Sequence, residues 1–168
     1  MNKKLPARLA PVVASVVSLL ACSPFATEQA ASPERAPMGR ASVIDGDTLE
    51  IHGRRIRLDG IDAPEAGQAC GRRGRTWPCG RRAAQALAAF IADRPVRCAG
   101  GTTDRYGRLI ARCRVGRTDL SAWMVRNGWA MAYRRYSTAY VDAEDQARAA
   151  KRGIWQGPFT APWDYRRG

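Results

Sequence analysis

Residues 41–59, ASVIDGDTLEIHGRRIRLD, decide the fold, because they hold three short strand-like runs separated by two sharp breaks. Ala41 to Ile44 and Thr48 to His52 read as strands, and the Asp-Gly pair between them bends the ribbon. His52-Gly53-Arg54 reads as a turn and Arg55 to Asp59 as a third strand. In that strand Ile56 and Leu58 share one face at a period of two, so Arg57 points to the other.

Downstream, Ala66 to Gly80 is rich in Gly, Arg and Cys and reads as a loop. Arg81 to Ala92 is expected to be a helix, with Ala84, Leu87, Ala88 and Ile91 at helical spacing and Pro95 beyond its end. Pro95 to Ala99 and Leu109 to Val115 read as two more strands, joined by a turn that holds Asp104 to Arg108. A second helix is expected over Asp119 to Asn127, capped by Thr118, with Leu120, Trp123 and Met124 buried and Gly128 ending it. A third runs from roughly Thr138 to Arg152 and stops at Gly153. Trp129 and Trp155 read as further core residues, and the tail adds Phe159, Trp163 and Tyr165. The order of elements predicts an α+β fold: a five-stranded, partly open Greek-key barrel of the OB type with three helices. Its short strands leave their ends free to carry a site.

The first 22 residues read as a signal peptide. Lys3, Lys4 and Arg8 form a basic start, and Leu9 to Ala21 is apolar and uncharged but shorter than the roughly 20 residues of a membrane span. Leu19-Leu20-Ala21-Cys22 has the form of a lipoprotein processing site with Cys22 as the lipidated residue; cleavage after Ala26 is the alternative. A lipid on Cys22 would tether the chain without spanning the membrane. Residues 23–40 show no apolar period and read as a flexible tether, which leaves 41–168 as one domain. These features predict an exported monomer, periplasmic, secreted or lipid-anchored.

The formal charge is +13, and without Lys3, Lys4 and Arg8 it is still +10. A preference for Arg over Lys explains the type of base but not the excess over Asp and Glu, so the charge favours a polyanionic partner. Cys70, Cys79, Cys98 and Cys113 are an even set in an exported chain, which points to disulfides with three possible connectivities. With no Cys-x-x-Cys and His52 as the only histidine, a zinc site is excluded, as are histidine-metal nucleases. The absence of Gly-x-Ser-x-Gly argues against a serine hydrolase.

Asp45-x-Asp47 resembles the opening of an EF-hand, but Glu50 stands where that loop needs glycine and Ile56 where it needs glutamate. Asp47 and Asp62 instead fall at the ends of neighbouring strands. Two carboxylates and a backbone carbonyl make an open site for a hard cation, with positions left for water and a substrate oxygen. Arg57 offers the fork geometry that binds phosphate. Glu65, after the stiff Pro64, is placed to deprotonate water, and Arg108 follows Gly107 in the second turn.

Taken together, Ile44-Asp45-Gly46-Asp47-Thr48, Arg57-Leu58-x-x-Ile61-Asp62-x-Pro64-Glu65 and Asp104-x-Tyr106-Gly107-Arg108 closely resemble the staphylococcal-nuclease-like, or thermonuclease, family. Arg126-x-Gly128-Trp129-Ala130 and Gly153-Ile154-Trp155 resemble its later segments, so the likeness covers about residues 41 to 160. The resemblance implies an OB-type barrel with three helices that hydrolyses DNA and RNA with calcium and leaves 3′-phosphate ends. It implies calcium ligands at Asp47, Asp62 and the carbonyl of Ala63, a general base at Glu65, and transition-state stabilisation by Arg57 and Arg108. Arg105 and Tyr106 match positions that contact a terminal phosphate, and Tyr133 and Tyr136 supply a wall for base stacking. The chain departs from the family at Ala63, where the prototype has threonine, and in the loop from Ala66 to Gly80. A Cys70–Cys79 bond would pin that loop beside Glu65. A Cys98–Cys113 bond would cross the hairpin, since the two positions are symmetric about its turn.

Two other readings compete: a non-catalytic barrel that holds nucleic acid or a protein, and a basic envelope lipoprotein that binds anionic polymers. The presence of Asp47, Arg57, Asp62, Glu65 and Arg108 favours the enzyme. The donor types alone do not separate calcium from magnesium or manganese.

Overall fold

The computed structural model describes residues 36–168. The expected signal peptide, Cys22 and the first part of the expected tether lie outside the described residues. In chain order the elements are β1 (Met38–Gly39), β2 (Ser42–Val43), β3 (Thr48–Ile51), β4 (Arg54–Leu58), β5 (Ile61–Asp62), β6 (Cys70–Arg72) and β7 (Arg75–Trp77). They continue with α1 (Cys79–Ile91), β8 (Val96–Thr103), β9 (Leu109–Val115), β10 (Thr118–Asp119), α2 (Leu120–Arg126), β11 (Met131–Ala132) and α3 (Val141–Ala149). A 3-10 turn (Gly153–Gln156) and the short helix α4 (Pro162–Tyr165) end the chain.

The main sheet has the order β1-β8-β9-β4-β3-β2, with β10 also paired to β9. Its one parallel pairing joins β4 to β9 and sets Ile56 beside Leu109 and Leu58 beside Ala111. A parallel pair needs a crossover, which α1 and β8 supply. The result is the expected α+β architecture, a curled OB-type sheet carrying helices. Alternation in β4 and β9 sends Ile56, Leu58, Leu109, Ala111, Cys113 and Val115 inward to one core with Leu49, Leu87, Leu120 and Met124. On the opposite register Arg57 is left half-buried at the sheet's open end.

Several boundaries differ from the sequence reading. Met38 and Gly39, in the expected tether, pair with Arg97 and Val96 as a sheet edge. Arg40 adds a side-chain bridge to Asp93. The expected loop contains the β6–β7 hairpin, whose Arg73-Gly74 turn takes φ values of 50° and 74°, the left-handed pair that suits a two-residue connection. In α1 the buried stripe is Ala83, Leu87 and Ile91, one position round from the expected Ala84 and Ala88. Asp119, not Thr118, caps α2: its carboxylate accepts from the Ala122 amide at 3.0 Å. The three expected helices are joined by a fourth, α4.

Two disulfides fix this framework. Cys70–Cys79 ties the hairpin to the first residue of α1, and Cys98–Cys113 joins directly opposed residues of β8 and β9. This is the pairing that the sequence reading favours.

Candidate active site

The bend between β2 and β3 builds the first carboxylate. The amides of Ile44 and Asp45 both donate to the Thr48 carbonyl, at 2.9 and 3.3 Å, and the Asp47 amide donates to Asp45 Oδ1 at 2.9 Å. Asp47 is thus held at the start of β3, where the Thr48–Arg57 register sets it against Arg57. Its Oδ1 accepts from the Arg57 guanidinium and from the Thr48 hydroxyl (3.1 Å); its Oδ2 accepts from the Ala63 amide at 2.9 Å.

The second carboxylate comes from β5, which pairs with β11 so that Asp62 opposes Met131. Asp62 has no exposed surface. Arg57 Nη2 donates to Asp62 Oδ1 at 2.8 Å and to the Ile61 carbonyl at 3.2 Å, so one guanidinium bridges both aspartates. Burial works against the charge of Arg57, but Asp47 and Asp62 outweigh it and raise its pKa above the ordinary arginine value. Burial, helped by the Asp47 carboxylate, pushes the Asp45 carboxyl up to about 6.

Glu65 follows at the rim, partly exposed. Its amide donates to Gln68 Oε1 at 3.2 Å, and the buried Gln68 side chain donates to the Thr160 carbonyl at 2.6 Å. The opposite rim is the turn between β8 and β9. There Asp104 accepts from the amides of Tyr106 (2.9 Å) and Arg108 (3.0 Å) and from Arg108 Nε (2.8 Å). Arg108 is thereby aimed back over β3, with Nη1 at 3.5 Å from the Thr48 hydroxyl. Arg105 Nη2 donates to the Tyr106 hydroxyl at 2.7 Å, and the Arg105 and Arg108 guanidiniums lie 4.8 and 5.4 Å from the centre of the exposed Tyr106 ring.

An aromatic wall closes the third side. The Tyr133 amide donates to the Gly60 carbonyl at 2.9 Å, which brings its ring beside β5. Tyr136 meets Tyr133 edge-on at 4.8 Å, and Trp163 of α4 stacks on Tyr133 at 5.4 Å with planes 6° apart.

Asp47, Arg57, Ala63, Glu65, Arg105, Tyr106, Arg108, Tyr133 and Tyr136 all line one open cleft of about 1090 Å³. Asp62 alone of the expected set sits behind that wall, covered by guanidiniums. Sequence reasoning missed Gln68, the orienting role of Asp104, Trp163 and Arg166. Arg166 Nη1 lies at 3.1 Å from Asp62 Oδ1 and 2.6 Å from Glu65 Oε1, and its Nη2 lies at 2.7 Å from Asp62 Oδ2. Hydrogen bonding to Asp62 first, and then to Glu65, raises its pKa despite burial. No spacing marks an arginine 104 positions from its partner as belonging to the site.

The family described as staphylococcal nuclease homologue matches residues 55–157, from β4 to just past the 3-10 turn, so that Asp47, Trp163 and Arg166 of the cleft lie outside the match. The chain belongs to this family. Among staphylococcal nuclease relatives, it is 42% identical to the succinoglycan biosynthesis protein ExoI of Rhizobium meliloti over 71% of this chain. The match spans 64% of that protein's length. It is 34% identical to the protein ParB of Escherichia coli over 91% of this chain and 93% of that one. It is 33% identical to the micrococcal nuclease of Shigella flexneri over 74% and 77% of the two chains.

The donors at the staphylococcal-nuclease-like cleft fit a hard cation. Asp47, Asp62 and Glu65 offer oxygen only. Among the described residues no group of three or more His, Cys, Asp or Glu side chains is placed to hold a metal ion. An open, two-carboxylate arrangement suits a cation that keeps water or substrate oxygen in its shell. Arg166 gives Asp62 and Glu65 one shared positive partner.

Proposed function

We propose that this protein is an exported, calcium-dependent nuclease that hydrolyses DNA and RNA with low sequence specificity and leaves 3′-phosphate ends. The observation that carries the reading is the convergence of Asp47 and Glu65 with Arg57 and Arg108 at one cleft, with buried Asp62 bonded to Arg57 behind its wall. Family membership and relatives named as nucleases support hydrolysis of nucleic acid. The two disulfides support export to an oxidising compartment. Cys22 lipidation, the signal over residues 1–22 and action as a monomer belong to the same proposal.

Asp47, Asp62 and the Ala63 carbonyl would hold the cation. When bound, calcium supplies Lewis-acid charge for the phosphate oxygens. Glu65 takes the proton of a water that attacks phosphorus, the P–O5′ bond breaks, the leaving 5′ oxygen takes up a proton from solvent, and the phosphate stays on the 3′ side. Arg57 and Arg108 face the charge that gathers on the phosphoryl oxygens, where preorganised donors act most strongly. Arg105 and Tyr106 hold a terminal phosphate, while Tyr133 and Tyr136 stack on bases without reading their edges, which gives weak sequence preference.

The test is cleavage of single-stranded DNA by the purified protein with calcium, magnesium or chelator, beside Glu65→Ala. The expected result is calcium-dependent cleavage that the variant loses by about 10²-fold or more. Binding without cleavage under every condition would replace this reading with the non-catalytic nucleic-acid module.

A further inference from the structure

The C-terminal segment is built into the cleft rather than laid over it. Pro162 is buried, Trp163 stacks on Tyr133, and the Thr160 carbonyl receives the Gln68 amide that also serves Glu65. From this anchored segment Arg166 places its three hydrogen bonds on Asp62 and Glu65. The two guanidiniums on Asp62 are not equivalent. Both guanidiniums line the cleft, but Arg57 has 16% of its side chain exposed and Arg166 39%. Arg166 is therefore the partner more open to solvent and solutes, over an Asp62 that has no exposed surface.

We propose that Arg166 and a divalent cation are alternative partners of Asp62, with Glu65 released when Arg166 leaves, so that the C-terminal helix sets the cation concentration at which the cleft loads. This inference rests on the metal-dependent nuclease reading. Charge neutralisation forces the competition. A cation entering from the cleft must displace charge-assisted hydrogen bonds that satisfy both oxygens of Asp62. A guanidinium left in place would stand against the incoming charge. Once displaced, Arg166 remains on the cleft wall, where phosphate is its natural partner.

Calcium alone is titrated calorimetrically into the protein without nucleic acid, for the wild type, Arg166→Ala, Arg166→Lys and Arg167→Ala. Arg167 pairs with Asp164 and touches neither site carboxylate, so its variant controls for loss of one nearby charge. Arg166→Ala is expected to bind calcium about tenfold more tightly or better, with Arg166→Lys between it and the wild type. Arg167→Ala should change affinity by no more than about threefold. The Arg166 guanidinium ¹⁵N resonance, assigned by its loss in Arg166→Ala, should shift when calcium is added to the wild type. Equal or weaker affinity in Arg166→Ala, with cleavage intact, would overturn the competition and leave the nuclease reading standing. No calcium binding by any of these proteins, with DNA uncut, would overturn both.

Discussion

A Cβ placed on Gly80 would overlap the carbonyl oxygen of Glu65, so the first turn of α1 and the loop that carries Glu65 are in backbone contact. The Gly80 amide donates to the Gln68 carbonyl at 3.2 Å, and the Gln68 amide donates to the Glu65 carbonyl at 2.8 Å. Glu65 is positioned by main chain against main chain, with little room for adjustment. Gly80→Ala should shift this loop and lower kcat by about 10²-fold, the scale set by a small misplacement of a reacting group. The stability cost should be about 1–3 kcal/mol. Kinetics on single-stranded DNA beside thermal unfolding would check both; unchanged turnover would show that the loop relaxes freely.

Arg57 has a structural debt to two carboxylates as well as its proposed role on phosphate. Asp47 and Asp62 are 5% and 0% exposed, and both bond to this guanidinium. Arg57→Ala should therefore lose activity and also destabilise the fold by about 3–5 kcal/mol, since it takes the guanidinium from buried Asp47 and one of two from Asp62, which keeps Arg166. Denaturant unfolding measures the second effect. A variant as stable as the wild type would show that water or a cation replaces the guanidinium.

Asp104 acts through Arg108. Burial opposes its charge, but the amide and guanidinium of Arg108 and the Tyr106 amide outweigh that and hold its carboxyl below the usual range. Its stabilising contribution is complete above the ordinary carboxylate pKa of about 3.9 and is lost as pH falls through the lower folded value. Melting temperatures of wild type and Asp104→Ala should differ most near neutral pH and converge below about pH 3. At neutral pH the variant's kcat should fall by about tenfold or more, because Arg108 is no longer aimed.

The two disulfides should separate stability from activity. Cys98–Cys113 lies inside the core sheet, far from Glu65 in the chain, and its paired replacement by alanine should cost about 2–4 kcal/mol with kcat largely kept. Cys70–Cys79 ties the hairpin to the α1 turn that holds Glu65, so its removal should cost activity as well. Equal kinetic effects of the two replacements would count against that positioning role.

Glu144 offers a test remote from the cleft chemistry. It has no exposed surface; its Oε1 accepts from the Ala132 amide at 3.0 Å and its Oε2 pairs with Arg134. Glu144→Ala should destabilise the protein by about 1–3 kcal/mol by orphaning the buried β11 amide, while Arg134 keeps Asp145. Urea unfolding would show it as a lower midpoint with an unchanged slope.

Local physics made much of this protein legible in its sequence. Alternation of Ile56, Arg57 and Leu58 fixes which side of β4 meets the core, because side-chain direction in a strand reverses at every residue. Asp45-Gly46-Asp47 and Asp104 to Arg108 are turns by composition, and both deliver their charged groups to the cleft. In α1 Leu87 and Ile91 are buried as expected, but Ala83 takes the place of Ala84 and Ala88, because several alanines offer no contrast in size and packing chose among them. Thr118 lost the cap of α2 to Asp119 because the helix starts at Leu120, one residue later than expected, which makes Asp119 the residue before its first turn.

The sequence by itself determined the order of β2, β3, β4, β8 and β9 and of helices α1 to α3, and the segments that belong together as a family site, since each is written in residues a few positions apart. Only the tertiary structure decided that Met38 and Gly39 extend the sheet, that Gln68 joins Glu65 to Thr160, and that Arg166 covers Asp62 from the far end of the chain. Such contacts come from closing the barrel and docking the tail on it. Hydrogen bonds and charge pairs between residues tens of positions apart leave no period or spacing in the chain, and exist only once burial has brought their partners together.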